Sequence, residues 1–303
     1  MIARLALLAS VFSLIACEHG ATVPSNLPLT SDSARLVAPL SAVSANRPNS
    51  AKIILVGSGW EAPWNVAVDG EGNVYVTDYR LGEVKKVSPP FTGQTHGKMH
   101  VLADFGYPVE GVAVDSKDNA YAYVKEGFDY IQQITPSGVI NLVASHIDSA
   151  GLAVDAEEDV YAAVDKLYKI AHKSGGGWKS PVQIWPKVSG ASDVAIDERG
   201  NLYVNDAGTV EELEPSGKVV AVGSGFYANA VAVPLGCKNS CPVYVADESH
   251  NVVKKVTPPF TGPTHGKITE IGYGFSSPGS VAVRGDDVFV VDGGHDQVKE
   301  VIP

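Results

Sequence analysis

The sequence predicts an all-β protein built from six copies of a small four-stranded sheet. A pair of short apolar strands recurs, with an alanine in the first strand and an aromatic residue in the second. The alanines are Ala67, Ala113, Ala153, Ala195, Ala232 and Ala282, and the aromatic residues are Tyr75, Tyr121, Tyr161, Tyr203, Tyr244 and Phe289. Successive alanines lie 46, 40, 42, 37 and 50 residues apart, which is typical of one four-stranded repeat. Nothing after residue 50 requires a long helix.

The third strand of most copies carries apolar residues three positions apart, such as Val84 with Val87 and Ile131 with Ile134. Residues at this spacing face opposite sides of a strand, so each sheet offers one apolar side chain to each of two neighbouring sheets. Small residues in the first strand and rings in the second fit a wedge, because side-chain volume must grow as sheets diverge from an axis. These patterns predict a six-bladed β-propeller.

The two ends of the repeat region predict how the ring closes. Residues 50–60 match residues 216–226, which form the fourth strand of the fourth repeat, and the sixth repeat stops at Pro303 after three strands. We therefore expect residues 52–57 to lie beside residues 297–302 as the missing outer strand. This pairing would remove the open edge that invites aggregation.

The N-terminus predicts export. Residues 1–16 contain Arg4 and then an apolar or small stretch that is too short to span a bilayer, as in a secretory signal. The following Leu14-Ile15-Ala16-Cys17 resembles the lipobox of bacterial lipoproteins. The resemblance implies lipidation of Cys17 and attachment to a bacterial outer membrane or cell surface through the lipid anchor alone. The alternative is an ordinary signal peptide cut nearby, which leaves Cys17 as a free thiol.

Residues 17–50 are predicted to be a flexible tether between this anchor and a propeller of residues 51–303. The tether is rich in proline and serine and lacks a sustained strand or helix period. A coil of this length reaches roughly 30 Å, enough to hold a domain clear of lipid headgroups.

The net charge of the chain limits the classes of molecule that it is expected to bind. The formal net charge is −11, and removal of residues 1–16, with Arg4, makes it −12. Nucleic acid is excluded as an expected partner, because phosphate backbones are bound by clustered cations and none cluster here. We expect a monomer whose partner is an extracytoplasmic small molecule, glycan or protein.

Two segments carry a family resemblance. Val66-Ala67-Val68-Asp69-Gly70-Glu71-Gly72-Asn73-Val74-Tyr75-Val76-Thr77-Asp78 and Val194-Ala195-Ile196-Asp197-Glu198-Arg199-Gly200-Asn201-Leu202-Tyr203-Val204-Asn205-Asp206 resemble bacterial NHL repeats, which form six-bladed propellers. The resemblance covers residues 51–303. It implies the fold but little about function, since propellers host unrelated activities.

The loops that enter the first strands are aromatic, and family members usually bind ligands at this rim. The rings are Trp60, Trp64, Phe105, Tyr107, Phe226, Tyr227, Tyr273 and Phe275. Together with the neighbouring Glu61 and Asn65, they are candidates for binding sugar faces, peptide side chains or a hydrophobic small molecule. The alternative is that the rings plug the core between blades, because several directly follow glycine.

Oxygen-bearing residues at the starts of the first strands are candidate calcium ligands. Asn65, Glu110, Asp193, Asn229 and Ser280 are expected near the mouth of the central channel. Calcium-dependent lactonases on six-bladed propellers use a comparable set, and the lactonase likeness suggests Glu110, Asp193 and Asn229 as ligands. The alternative is that a channel mouth is polar without any metal.

Histidines suggest a second metal hypothesis. His146, His250 and His295 are expected on the loop-rich rim, and zinc needs three or four converging ligands. Peptide-amidating lyases, a similar propeller family, place histidines at the starts of the inner strands, where this chain has other residues. That departure argues against a zinc lyase. His96 and His265 lie in twin insertions, 89–98 and 258–267, that we expect to be long turns at the opposite rim.

Aspartates close the second strand in four repeats. Asp78, Asp206, Asp247 and Asp292 occupy this position. Such a carboxylate can accept hydrogen bonds from the backbone of the following turn, so we expect a structural role.

Cys237 and Cys241 are predicted to form a disulfide. They lie in a four-residue insertion at the first turn of repeat five, flanked by Pro234 and Pro242. An exported chain meets an oxidising compartment, which favours a disulfide over a redox or metal-binding pair.

These features favour a non-catalytic propeller that binds its partner through the loop-rich rim. A metal-dependent lactonase or lyase is the alternative. The chain lacks a Gly-x-Ser-x-Gly nucleophile elbow and a His-Glu-x-x-His motif.

Overall fold

The computed structural model describes residues 51–147, 151–185, 188, 190–261 and 265–302. These residues form six four-stranded antiparallel sheets, and the prediction of an all-β six-bladed propeller is confirmed. The lipidation site Cys17, the signal at 1–16 and the tether at 17–50 lie outside the described residues. No helix within the described ranges is long and apolar enough to cross a membrane.

Each blade is a four-stranded antiparallel meander. Its first strand lies at the channel and its fourth strand forms the outer wall. The first three blades contain β2 (Pro63–Val68), β3 (Val74–Asp78), β4 (Glu83–Ser88), β5 (Lys98–Asp104), β6 (Val109–Val114), β7 (Ala120–Val124), β8 (Tyr130–Ile134), β9 (Ile140–Ser145), β10 (Gly151–Val154), β11 (Val160–Val164), β12 (Lys166–Ile170) and β13 (Val182–Trp185). The last three contain β14 (Ala191–Ile196), β15 (Leu202–Asp206), β16 (Thr209–Leu213), β17 (Val219–Ser224), β18 (Ala228–Ala232), β19 (Val243–Asp247), β20 (Val252–Thr257), β21 (Lys267–Ile271), β22 (Pro278–Arg284), β23 (Asp287–Asp292) and β24 (Gln297–Ile302). The innermost strand of each blade contacts those of the two adjacent blades, which closes the ring.

The sixth blade takes its outer strand from the N-terminal side of the domain. Strand β1 (Lys52–Leu55) pairs antiparallel with β24, from Lys52 opposite Ile302 to Leu55 opposite Lys299. The amide of Val56 extends the ladder by donating to the carbonyl of Val298 at 2.8 Å. The closure predicted from the repeat match is confirmed.

The first turn of four blades is built around a buried aspartate. In blade 1, Asp69 accepts hydrogen bonds from the amides of Glu71 and Asn73 and from the hydroxyl of Tyr75. The same tyrosine-to-aspartate bond recurs from Tyr121 to Asp115, from Tyr161 to Asp155 and from Tyr203 to Asp197. The repeated aspartate, asparagine and tyrosine of the sequence motif therefore stabilise the hairpin and do not form a ligand site.

The predicted disulfide joins Cys237 and Cys241 in the connection between β18 and β19. Cys241 is buried in the core between blades 4 and 5. The crosslink lies in a first-to-second-strand turn, and therefore at the end of the propeller opposite the loops that enter the blades.

The twin insertions connect third to outer strands and pack against the preceding blade. Phe91, in the insertion of blade 1, is buried in one cluster with Trp60 and Phe289. The carbonyl of His96 accepts a hydrogen bond from the amide of Gly57 at 2.8 Å. These insertions bind adjacent blades together, which their sequence alone did not indicate.

The closing strand generates a prediction about truncation. A domain that starts at residue 51 should unfold cooperatively and stay monomeric. A domain that starts at residue 59 should aggregate, because β24 then exposes an unpaired edge. Thermal unfolding and light scattering of the two truncations measure this, and equal behaviour would contradict the role of β1.

Candidate functional site

The loops entering each blade and the loops joining second to third strands form one end of the propeller, here named the upper rim. Backbone hydrogen bonds join the two kinds of loop within a blade, as from the amide of Tyr79 to the carbonyl of Ala62 at 2.8 Å. The amide of Lys125 donates to Pro108 in the same way, also at 2.8 Å. The upper rim is therefore a hydrogen-bonded surface and not a set of independent loops.

A recurrent β-bulge turns residues toward the upper rim. The register of the innermost strand shifts near its start in five blades. The residues that have no partner on the second strand at these shifts are Trp64, Glu110, Gly111, Ser192, Asn229 and Gly279. Bulges re-aim side chains beside functional sites. The sequence named three of these residues as candidates, but the bulge itself was not predicted.

Side chains at the bulges meet side chains of the following loop. Glu110 forms an ion pair with Lys125, whose nitrogen lies 3.1 Å from the carboxylate. The amide nitrogen of Asn229 donates to the carboxylate of Glu248. The ring of Trp64 lies against that of Tyr79, with their centroids 5.0 Å apart. These pairs place charged, amide and aromatic groups around the mouth of the channel.

The rim aromatics include buried rings and exposed rings. The interpretation as core residues is confirmed for the buried ones, and ligand binding stays a prediction for the exposed ones. Trp60, Phe226 and Phe275 are at most 9% exposed and pack between blades. Trp64, Tyr107, Tyr227 and Tyr273 are between 45% and 67% exposed. Trp60 was predicted to face a ligand, but its indole donates to the carbonyl of Val56. It is part of the core.

A buried aspartate and lysine hold the entering loop in three blades, an arrangement here named the rim clamp. In blade 1, Asp78 accepts hydrogen bonds from the amides of Glu61 and Ala62 at 3.1 and 3.0 Å. The ammonium of Lys85 lies 3.0 Å from the same carboxylate and 5.3 Å from the centroid of the Trp60 ring. The side chain of Glu61 remains exposed.

Blades 5 and 6 repeat the rim clamp. Asp247 pairs with Lys254 and accepts the amide of Tyr227, and Asp292 pairs with Lys299 and accepts the amide of Ser276. The predicted structural role of these aspartates is therefore supported. Their amide donors lie in the entering loop, however, and not in the turn that follows the second strand.

Blade 4 lacks the rim clamp. Asp206 ends its second strand, and Glu211 occupies the register position that Lys85 has in blade 1. One carboxylate oxygen of Asp206 is buried without a hydrogen-bond partner. Burial and the Asp206 carboxylate raise the pKa of Glu211. Blade 4 thus has two carboxyl groups, those of Asp206 and Glu211, where blades 1, 5 and 6 have an ion pair.

Side chains of the innermost strands link neighbouring blades. The amide of Val112 donates to Asn65, and that of Val66 donates to Ser280. Asp193 accepts the amide of Val231 at 2.9 Å. A β-carbon at Gly151 would lie 2.0 Å from Asp193, so the carboxyl group fills the space that glycine leaves. Burial raises the pKa of Asp193 to about 7.

The suggested calcium ligands each have another partner. Glu110 pairs with Lys125, Asp193 accepts an amide of the next blade, and Asn229 contacts Glu248. Among the residues that the structure describes, no group of three or more His, Cys, Asp or Glu side chains could hold a metal ion.

Two of the candidate histidines are oriented by the rim clamps. The Nδ1 atom of His250 lies 2.8 Å from Asp247, and that of His295 lies 2.8 Å from Asp292. Each imidazole is about half exposed. His146 lies against Phe128, with ring centroids 5.1 Å apart. The three histidines thus contact other residues of the upper rim. They form no metal centre with the described His, Cys, Asp and Glu residues.

Two cavities lie where blade 6 meets blade 1. The larger, about 590 Å³, is lined by Pro89, Pro90 and Lys98 among others. The smaller, about 230 Å³, is lined by His96, His295 and neighbouring residues. They flank the twin insertion of blade 1, and the smaller one also touches Trp60 of the loop that enters blade 1.

Comparison with known proteins supports the fold. No protein-family model matches the chain, and no curated protein sequence matches it. Solved structures do match it. The gluconolactonase XC5397 from Xanthomonas campestris is 12% identical, with a TM-score of 0.61, over 86% of this chain and 92% of its own.

Two further structures are similar over most of the chain. A PQQ-bound aldose sugar dehydrogenase from Streptomyces coelicolor is 15% identical, with a TM-score of 0.58, over 84% of this chain and 99% of its own. A streptogramin B lyase is 12% identical, with a TM-score of 0.56, over 84% and 87%. At these identities the likeness establishes the propeller fold alone.

The blade 4 exception generates a prediction. Glu211→Lys should raise the free energy of unfolding by about 1 to 2 kcal/mol at neutral pH, because the new ammonium can pair with the carboxylate of Asp206, one oxygen of which is buried without a partner. Chemical denaturation measures the change. Glu270→Lys makes the same charge change on an exposed strand residue, and equal effects of the two substitutions would contradict the account.

Asp193 generates a prediction about pH. Burial raises its pKa in the folded domain to about 7, from the ordinary aspartate value of 3.8. As pH rises, Asp193 therefore loses its proton at a lower pH in the unfolded chain than in the folded domain. The free energy of unfolding should fall as pH rises from about 4 to 7.

Asp193→Asn should remove this loss while leaving an oxygen for the amide of Val231. Relative to the wild type, the variant should unfold at a higher temperature at pH 8 and at a similar temperature at pH 4.5. A difference that does not change with pH would show that Asp193 ionises normally.

Proposed function

We propose that this chain is an exported, lipid-anchored propeller of the NHL type that binds a ligand or a protein partner through its upper rim, without catalysis. The observation that carries the proposal is the set of exposed rings and paired polar groups that bulges and clamps hold on this rim. Ligand sites need a few oriented polar groups beside apolar surface, and the upper rim supplies both.

The proposed location follows from the sequence. An apolar segment that ends in Cys17 and a proline-rich and serine-rich tether are typical of a lipoprotein held away from its membrane. The disulfide at Cys237 and Cys241 is compatible with an oxidising compartment.

The second candidate is a propeller enzyme of the lactonase or lyase type. Solved structures similar to this chain include a gluconolactonase and a streptogramin B lyase. The raised pKa of Asp193 also suits a general acid or base. Against this candidate, Asp193 is only 7% exposed and is engaged with the next blade.

A thermal-shift screen of the domain from residue 51 onward tests the proposal. A rim ligand at about 100 times its dissociation constant should raise the melting temperature by roughly 5 to 10 °C. Glu110→Ala with Asn229→Ala should abolish the shift, whereas Leu142→Ala on the outer wall should preserve it.

Two results of the screen would count against the proposal. A shift that survives the rim substitutions would place the ligand elsewhere. Turnover of the stabilising compound, with or without added Ca²⁺, would favour the enzyme.

A further inference from the structure

Exposed aromatic rings occupy one continuous arc of the upper rim, here named the aromatic crescent. Its members are Tyr227, Tyr273, Trp64, Tyr107 and Phe128. They belong to blades 5, 6, 1 and 2, which are consecutive around the closed ring. The rim loops of blades 3 and 4 carry no Trp, Tyr or Phe in the sequence. The exposed rings therefore cover four consecutive blades and do not surround the whole rim.

The crescent rings are held in place by neighbours. Trp64 lies against Tyr79, Tyr227 lies 5.8 Å from His250, and Phe128 lies against His146. Asp247, a member of the rim clamp, binds both the amide of Tyr227 and the imidazole of His250. Each of these three rings has one supported side and remains about half exposed or more. Such rings offer flat apolar surface with little loss of conformational freedom on binding.

Polar pairs lie beside the rings at the two ends of the crescent. The ion pair of Glu110 and Lys125 lies in blade 2, and the pair of Asn229 and Glu248 lies in blade 5. Tyr107 adds a hydroxyl group whose pKa is raised by its hydrogen bond to Glu126. Carboxylate, amide and ammonium groups are suitable partners for several hydroxyl groups of one ligand.

We propose that the aromatic crescent binds a neutral oligosaccharide that extends over several blades. This proposal rests on the proposed rim function and names its ligand class. The apolar face of a pyranose ring packs on an aromatic ring, while its hydroxyl groups bond to polar groups at the ring edge. An arc of exposed rings with a polar pair near each end matches a chain of such units.

Other ligand classes fit this surface less well. A small apolar molecule needs an enclosing pocket, whereas the crescent rings are about half exposed or more. A protein interface needs a contiguous apolar centre, whereas the rings of blades 2 and 5 lie beside a charged pair and an amide–carboxylate pair. An anionic polymer would be repelled by the strongly negative domain. A neutral glycan avoids all three objections.

Calorimetric titration of the domain from residue 51 onward tests the proposal. The probes are β-1,4-linked hexaoses of glucose, N-acetylglucosamine, xylose and mannose, with a galacturonic acid hexaose as the anionic comparison. At least one neutral hexaose should bind, and its disaccharide should bind at least about tenfold more weakly, because it reaches fewer rings. Trp64→Ala and Tyr227→Ala should each weaken binding about tenfold.

Leu235→Ala is the matched control, because Leu235 is an exposed apolar residue of a first-to-second-strand loop, at the end opposite the rim. It should leave hexaose binding unchanged. Failure of every neutral hexaose to bind would overturn the proposal, as would binding that neither ring substitution changes.

The thermal-shift screen keeps the two proposals distinguishable. A protein or a compound other than a sugar that stabilises the domain only when Glu110 and Asn229 are intact would overturn the sugar assignment and leave the rim function standing. A hexaose that binds with unchanged affinity to both ring variants would count against the crescent itself.

Discussion

The upper rim depends on a buried carboxylate that pairs with a lysine and holds the backbone of an entering loop. Removing charges from water is unfavourable unless both pairing and hydrogen bonding are nearly complete. In blade 1 this requirement is met, because Asp78 receives two amides and an ammonium. The lysine also covers the buried ring of the entering loop. One interaction thus fixes the loop, the ring below it and the end of the second strand.

The clamps explain why the two ends of the propeller differ. The end with the first turns is stabilised by local aspartate turns and one disulfide. At the upper rim, the clamp carboxylates instead accept hydrogen bonds from backbone amides of the entering loops. Clamped blades 1, 5 and 6 supply Trp64, Tyr227 and Tyr273 to the crescent, whereas blade 4 has neither a clamp nor an exposed ring. Clamps and exposed rings therefore occur together in blades 1, 5 and 6, while blade 2 ends its second strand with Val124 and supplies Tyr107 and Phe128 without a clamp.

Most of the fold could be predicted because its determinants are local and repeated. The alanine and aromatic positions gave the blades, the match of residues 50–60 to 216–226 gave the closure, and the insertion at Cys237 gave the disulfide. The site was harder to predict, because its determinants act between strands and blades. Trp60 and Trp64 are both rim tryptophans in sequence, yet the bulge exposes one and the clamp buries the other. The partner of Asp193 lies in the next blade, which no local pattern indicates.

The central claim is that the clamps hold the rim in place before any ligand arrives. Amide hydrogen exchange of the ligand-free domain, followed by NMR, measures this most directly at Glu61, Ala62, Tyr227 and Ser276, whose amides bind the clamp carboxylates. The account predicts slow exchange at all four, close to that of the adjacent strands, because buried hydrogen bonds must open before exchange occurs. Exchange as fast as that of an exposed loop would contradict it.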